Sequence, residues 1–122
     1  MPESLSRDLC ERLARAYPQD IGAHEYVDGD LFWRRGQAQV WVAFIEADTY
    51  WGGAWPIEST DVWCPRLEDL LELAQEVNGH LWEMRRIFGG ACIFSANNVA
   101  RDGDTPVESV ALWLLAQREG AR

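Results

Sequence analysis

The chain has 122 residues, 48% apolar and 25% charged, with 20 acids against 11 bases and a net charge of −9. That length holds one hydrophobic core, so a single domain over residues 1–122 is expected. The apolar fraction excludes global disorder, and the acidity excludes nonspecific attraction to a phosphate backbone or an anionic lipid surface.

The N-terminus, Met1-Pro2-Glu3-Ser4, carries acid before base and no apolar stretch, so no secretory signal is expected. The first element is a helix over about Leu5 to Tyr17. Leu5, Leu9, Leu13 and Ala16 or Tyr17 recur at three-to-four spacing, and Pro18 ends it. Asp30–Arg35 and Gln37–Ile45 read as two strands about Gly36, rich in aromatic and β-branched residues. The second is apolar on both faces, which predicts a place inside the sheet. Next, Tyr50-Trp51-Gly52-Gly53-Ala54-Trp55-Pro56 is a loop carrying two of the seven tryptophans, and a short strand at Asp61–Cys64 follows.

Pro65 and Asn78-Gly79 bracket a second helix whose core stripe is Leu67, Leu70, Leu71, Ala74 and Val77. His80–Phe88 and Ala91–Ser95 form a hairpin closed at Gly89-Gly90, and Asn97–Asp104 reads as polar loop. Thr105-Pro106-Val107-Glu108 is a capping box opening a last helix that carries Val107, Val110, Ala111, Trp113, Leu114 and Leu115. The order α-β-β-(β)-α-β-β-α predicts an α+β fold, a mainly antiparallel sheet with flanking helices.

Several residue groups are suited to binding. Tyr50, Trp51 and Trp55, beside two glycines, can stack on a flat ligand, or close over the domain's own core. Arg85, Arg86 and Arg101, with Asn97 and Asn98, can pair with an anion, although neighbours on a strand point to opposite faces. Glu68, Asp69, Glu72 and Glu76 line the polar side of the second helix with only Arg66 against them, as a row of phosphates would. Glu25, Asp28, Asp30, Glu46 and Asp48, with His24 beside them, supply carboxylate oxygen ligands without a recognisable metal motif, so no metal site and no catalytic set is assigned. Cys10, Cys64 and Cys92 are odd in number and lack C-x-x-C spacing, which predicts reduced thiols in a cytoplasm.

Two stretches, Trp63-Cys64-Pro65-Arg66-Leu67-Glu68-Asp69-Leu70-Leu71 and Asp104-Thr105-Pro106-Val107-Glu108-Ser109-Val110-Ala111-Leu112-Trp113-Leu114-Leu115, pair a Trp-x-Pro helix start with a Thr-Pro-capped closing helix around a hairpin. From Val62 to Leu115 the chain resembles small phage and prophage proteins of the "ABA sandwich" type, about half its length. The resemblance implies a phage-type accessory protein and no catalytic residues.

The leading expectation is a non-enzymatic, homo-oligomeric binding protein of the host cytoplasm that counteracts a host defence by sequestering a small nucleotide-like ligand. It needs no cofactor and touches neither membrane nor nucleic acid directly. The alternative is an acidic, DNA-mimic-like inhibitor that binds a host nuclease or CRISPR effector protein through Glu68, Asp69, Glu72 and Glu76. A metal-dependent hydrolase using Asp28, Asp30, Glu46 and Asp48 ranks third.

Overall fold

The computed structural model describes residues 4–43, 60–79, 82–86 and 91–119, within two compact units, Ser6–Pro65 and Met1–Leu5 with Arg66–Arg122. The fold is α+β; among the described residues there are three α-helices and two three-stranded antiparallel sheets, one sheet in each unit. No helix among the described residues is long and apolar enough to cross a membrane.

In the unit Ser6–Pro65, α1 spans Arg7–Ala16. Ser6 caps it by accepting the Leu9 N–H at 3.3 Å, and Leu9, Cys10 and Leu13 form its buried stripe. Pro18 cannot continue the α-helical ladder, and Pro18–Gly22 winds one π-helical turn in which Ile21 and Gly22 both donate to the Tyr17 carbonyl. The sheet has the order β2-β1-β3, formed by β1 (Leu31–Trp33), β2 (Trp41–Val42) and β3 (Val62–Cys64). Phe32 lies opposite both Trp41 and Trp63, and α1 packs against β3.

Two strands pair antiparallel about Gly36, which has φ +82°. Among the described residues they are shorter than the expected Asp30–Arg35 and Gln37–Ile45, since residues 34–40 form a loop, and the expected inner strand is not the central one. Among the described residues β2 is an edge strand and β1 the central one, because β3 pairs with the free side of β1. An apolar run does not choose a position in a sheet; the third strand does. Val42 is accordingly exposed.

The other unit opens with α2, Leu67–Asn78. Pro65 lies just outside the helix instead of in its first turn, and the Asp69 carboxylate accepts the Arg66 N–H at 3.0 Å. Gly79, at φ +84°, ends it. Leu70, Leu73 and Ala74 are its buried residues. Val77, expected in the core, is exposed because the apolar stripe outruns the packing in the last turn. The sheet β4-β5-β6 follows, from Trp82–Arg86, Cys92–Ala96 and Val99–Gly103.

β6 occupies a stretch expected to be loop. Asn97 and Asn98 both take positive φ, 53° and 63°, and so make a two-residue turn that returns Val99–Gly103 antiparallel to β5. Asparagine tolerates this left-handed region, and such turns match the twist of paired strands. Gly89-Gly90, expected to close the β4–β5 hairpin, falls outside the described residues.

Helix α3, Pro106–Glu119, packs against β5, β6 and α2, which is why it is apolar on most sides. Val107, Val110, Ala111, Trp113, Leu114 and Leu115 are all nearly inaccessible. The cap forms as a variant of the expected box: Thr105 Oγ1 accepts the Glu108 N–H at 3.2 Å, while the Glu108 carboxylate accepts from Asp104 N–H.

Gly103 is where α3 meets the sheet. A Cβ there would collide with the backbone of Glu108 and Ser109, which has no flexible side chain to move aside. Gly103→Ala is therefore expected to lower unfolding free energy by about 1–3 kcal/mol in urea denaturation.

Candidate functional site

The unit containing α3 builds a shallow groove of about 460 Å³ at the Asn97-Asn98 end of its sheet, lined by Trp82, Glu83, Ser95, Ala96, Asn98, Val99 and Ala100. The strand register explains the set. Trp82, Ala96 and Val99 are opposite one another in one cross-strand row, and Glu83, Ser95 and Ala100 make the next. Antiparallel partners share a face, so the two rows present opposite faces and the groove wraps the sheet's end.

Trp82 is held from beneath. Trp113, fully buried on α3, donates its indole N–H to the Ala96 carbonyl at 3.0 Å. Phe94 meets Trp113 edge-on at 5.4 Å between ring centroids, and Trp82 stacks on Phe94 at 5.5 Å. Trp82 retains 36% of its surface, so the stack runs from the core to an indole open to solvent. Such a platform suits a flat ring, with Ser95, Asn98 and Glu83 as nearby hydrogen-bonding groups. Among the described residues, the groove's lining holds one carboxylate, Glu83, and no arginine.

The sequence reading singled out neither Trp82 nor this groove. An aromatic residue near the start of a hairpin strand is a weak signal, and the groove needs the Asn97-Asn98 turn, which was read as loop. Of the expected ligand residues, Tyr50, Trp51 and Trp55 lie outside the described residues. Asn98 lines the groove and Asn97 shares its turn. Arg86 pairs with Cys92 at the far end of β4, away from those asparagines. Arg85 lies on the other face from Arg86, beside Glu83 with Nε–Oε1 at 3.0 Å. Arg101 shares the face of Met84 and Phe94, and its Nη1 donates to the Ala100 carbonyl at 2.8 Å.

On α2, Glu68, Glu72 and Glu76 are exposed at i, i+4 spacing and form one ridge, rising about 6 Å per step. Asp69 is set apart from that ridge by its capping bond to the Arg66 N–H.

The Ser6–Pro65 unit has its own polar centre. His24 lies flat on Trp63, with ring centroids 3.4 Å apart and planes within 5°, and its Nε2 is 2.8 Å from Asp30 Oδ2. The same oxygen accepts the Val27 N–H at 2.9 Å, which ties the 24–30 segment to the sheet. This pair can hold and orient a proton, but no hydroxyl or thiol joins it among the described residues. Asp28 is exposed, and Glu46 and Asp48 lie outside the described residues. No group of three or more His, Cys, Asp or Glu side chains is placed to hold a metal ion among the described residues.

Arg34 and Asp61 form a two-pronged pair, Nε–Oδ1 3.1 Å and Nη2–Oδ2 2.9 Å, with the Asp61 side chain fully buried. The Arg34 guanidinium also lies over the rings of Phe32 and Trp41. Cys10 and Cys64 are buried and hydrogen-bonded to each other; that bond, then burial, pushes the Cys10 thiol up, so it is a poor nucleophile at neutral pH.

Comparison with protein-family models, with curated proteins and with solved structures finds no match to this chain.

Asp61→Asn leaves the Arg34 charge buried without its partner and is expected to cost about 3–5 kcal/mol, whereas Arg34→Met with Asp61→Leu is expected to cost markedly less. Calorimetric or urea unfolding of both variants checks this. Burial, then the Asp61 and Asp30 carboxylates, raise the Tyr26 phenol above its ordinary value. Below about pH 10 the phenol is neutral in both folded and unfolded chains, and its contribution is intact. Above that, the unfolded chain ionises first, so stability falls as pH rises. Tyr26→Phe is expected to make that alkaline decline shallower, measured by urea midpoints at several pH values.

Proposed function

We propose that this chain is a non-enzymatic, phage-type accessory protein that binds a small, flat, nucleotide-like ligand, with the ring seated on Trp82. The observation that carries this reading is the aromatic series Trp113–Phe94–Trp82, edge-on at its first contact and stacked at its second, which fixes a solvent-facing indole at the lip of a groove of about 460 Å³. A fixed platform loses little conformational freedom on binding, and the volume falls within the range of small-molecule sites. Asn98 and Ser95 offer both donors and acceptors to a heterocycle's edge, and Glu83 accepts from an exocyclic amine. A phosphate, if the ligand has one, must point away from Glu83. Sequestering such a ligand from a host defence is the role that fits the resemblance of residues 62–115 to small phage proteins.

A second reading rests on α2. The exposed ridge Glu68, Glu72 and Glu76 suits docking onto a basic surface of a host nuclease or CRISPR effector protein. The two readings separate on salt: a charge-matched interface weakens steeply with ionic strength, and a stacked ring does not.

The test is mass spectrometry of small molecules released by heat from protein purified out of nucleotide-fed or infected cells, followed by calorimetry with the compound recovered. Trp82→Ala is expected to weaken binding by about 1–3 kcal/mol, with Trp82→Phe restoring most of it. A ligand held equally by Trp82→Ala would rule out this site. Loss of function on reversing Glu68, Glu72 and Glu76 to arginine, with no ligand recovered, would establish the second reading instead.

A further inference from the structure

The exposed edge of β4 is complementary to itself. Among the described residues, β4 is the outer strand of the sheet β4-β5-β6, and its five residues give their ladder bonds to β5 alone. A free edge of this length is a template for another strand. Its sequence, Trp82-Glu83-Met84-Arg85-Arg86, is arranged about Met84 so that a two-fold axis through that residue sets Met84 against Met84, Glu83 against Arg85, and Trp82 against Arg86.

Both outer pairings are favourable. Glu83 and Arg85 share one face of the sheet with side chains 63% and 71% exposed, and their mutual contact within one chain is a solvated ion pair of little strength. Paired across two edges, the same groups form a ring of four alternating charges. On the other face, Arg86 of each copy meets the open indole of Trp82, a cation–π arrangement. A register shifted by two residues loses this match. With 82 opposite 84, Glu83 faces Glu83; with 84 opposite 86, Arg85 faces Arg85.

We propose that two copies of the chain join antiparallel through β4, making one six-stranded sheet, with Glu83–Arg85 pairs fixing the register. The groove then becomes shared. The partner's Arg86 arrives beside Trp82, adding an arginine to a lining that has none among the described residues. This dimer stands whether or not a ligand is ever found, because it rests on the edge and its charge order alone.

The experiment is sedimentation velocity of the full chain over a range of concentrations, together with three variants. The wild type is expected to be a dimer that weakens with salt. Glu83→Arg, or Arg85→Glu, sets like charges opposite each other and is expected to raise the dissociation constant at least ~10-fold. The double variant Glu83→Arg/Arg85→Glu restores opposite charges in the same symmetric register and is expected to recover the dimer. Circular dichroism confirms that each variant is folded; both positions of change, 83 and 85, are exposed strand sites. A wild type that is monomeric throughout, a dimer indifferent to either single reversal, or a double variant no better than the singles would overturn the proposal.

Discussion

The bond from the Trp113 indole N–H to the Ala96 carbonyl organises the larger part of this protein. Among the described residues Trp113 is the largest fully buried side chain, and its ring faces Phe94 while its nitrogen donates to the carbonyl at the end of β5. A buried indole without an acceptor would lose a bond it makes freely in water, so this contact fixes the depth and rotation of α3 against the sheet. Gly103 permits the same closeness from the other edge, since β6 approaches the first turn of α3 too tightly for any side chain. The order of the exposed surface follows from this interior. Trp82 is held because Phe94 is held, and Phe94 because Trp113 is.

The Ser6–Pro65 unit is organised by charge instead. Its sheet strands are only two or three residues long, too short to be secured by backbone ladders alone. Two bonded acids compensate. Asp61 receives both prongs of Arg34 across the sheet, and Asp30 joins His24 and the Val27 amide. Aromatic rings cover these polar groups, with Phe32 and Trp41 beneath the guanidinium and Trp63 beneath the imidazole. Two of these covering rings, Trp41 and Trp63, belong to the chain's seven tryptophans. Large rings are an economical way to shield ion pairs in a small volume.

The two candidate surfaces of the other unit put acids to different uses. Asp69 closes a helix end, whereas Glu68, Glu72 and Glu76 point to solvent at regular spacing. Glu83 lines the groove and also lies on the β4 edge strand, so one carboxylate enters both the proposed ligand site and the proposed strand pairing.

Local chemistry determined the helices. Ser6, Pro18, Gly79, Thr105 and Glu108 act within one turn of their own positions, and the three-to-four spacing of leucines is a property of the chain alone. The α+β class followed from these helices together with the aromatic and β-branched runs between them. Which strand lies central, that two sheets form instead of one, and that Val99–Gly103 returns as a strand were decided by tertiary structure. Strand order depends on pairing between segments far apart in sequence, and composition carries no record of it. The groove was illegible for the same reason: Trp82 and Asn98 become neighbours only through registers that join β4 to β5 and β5 to β6.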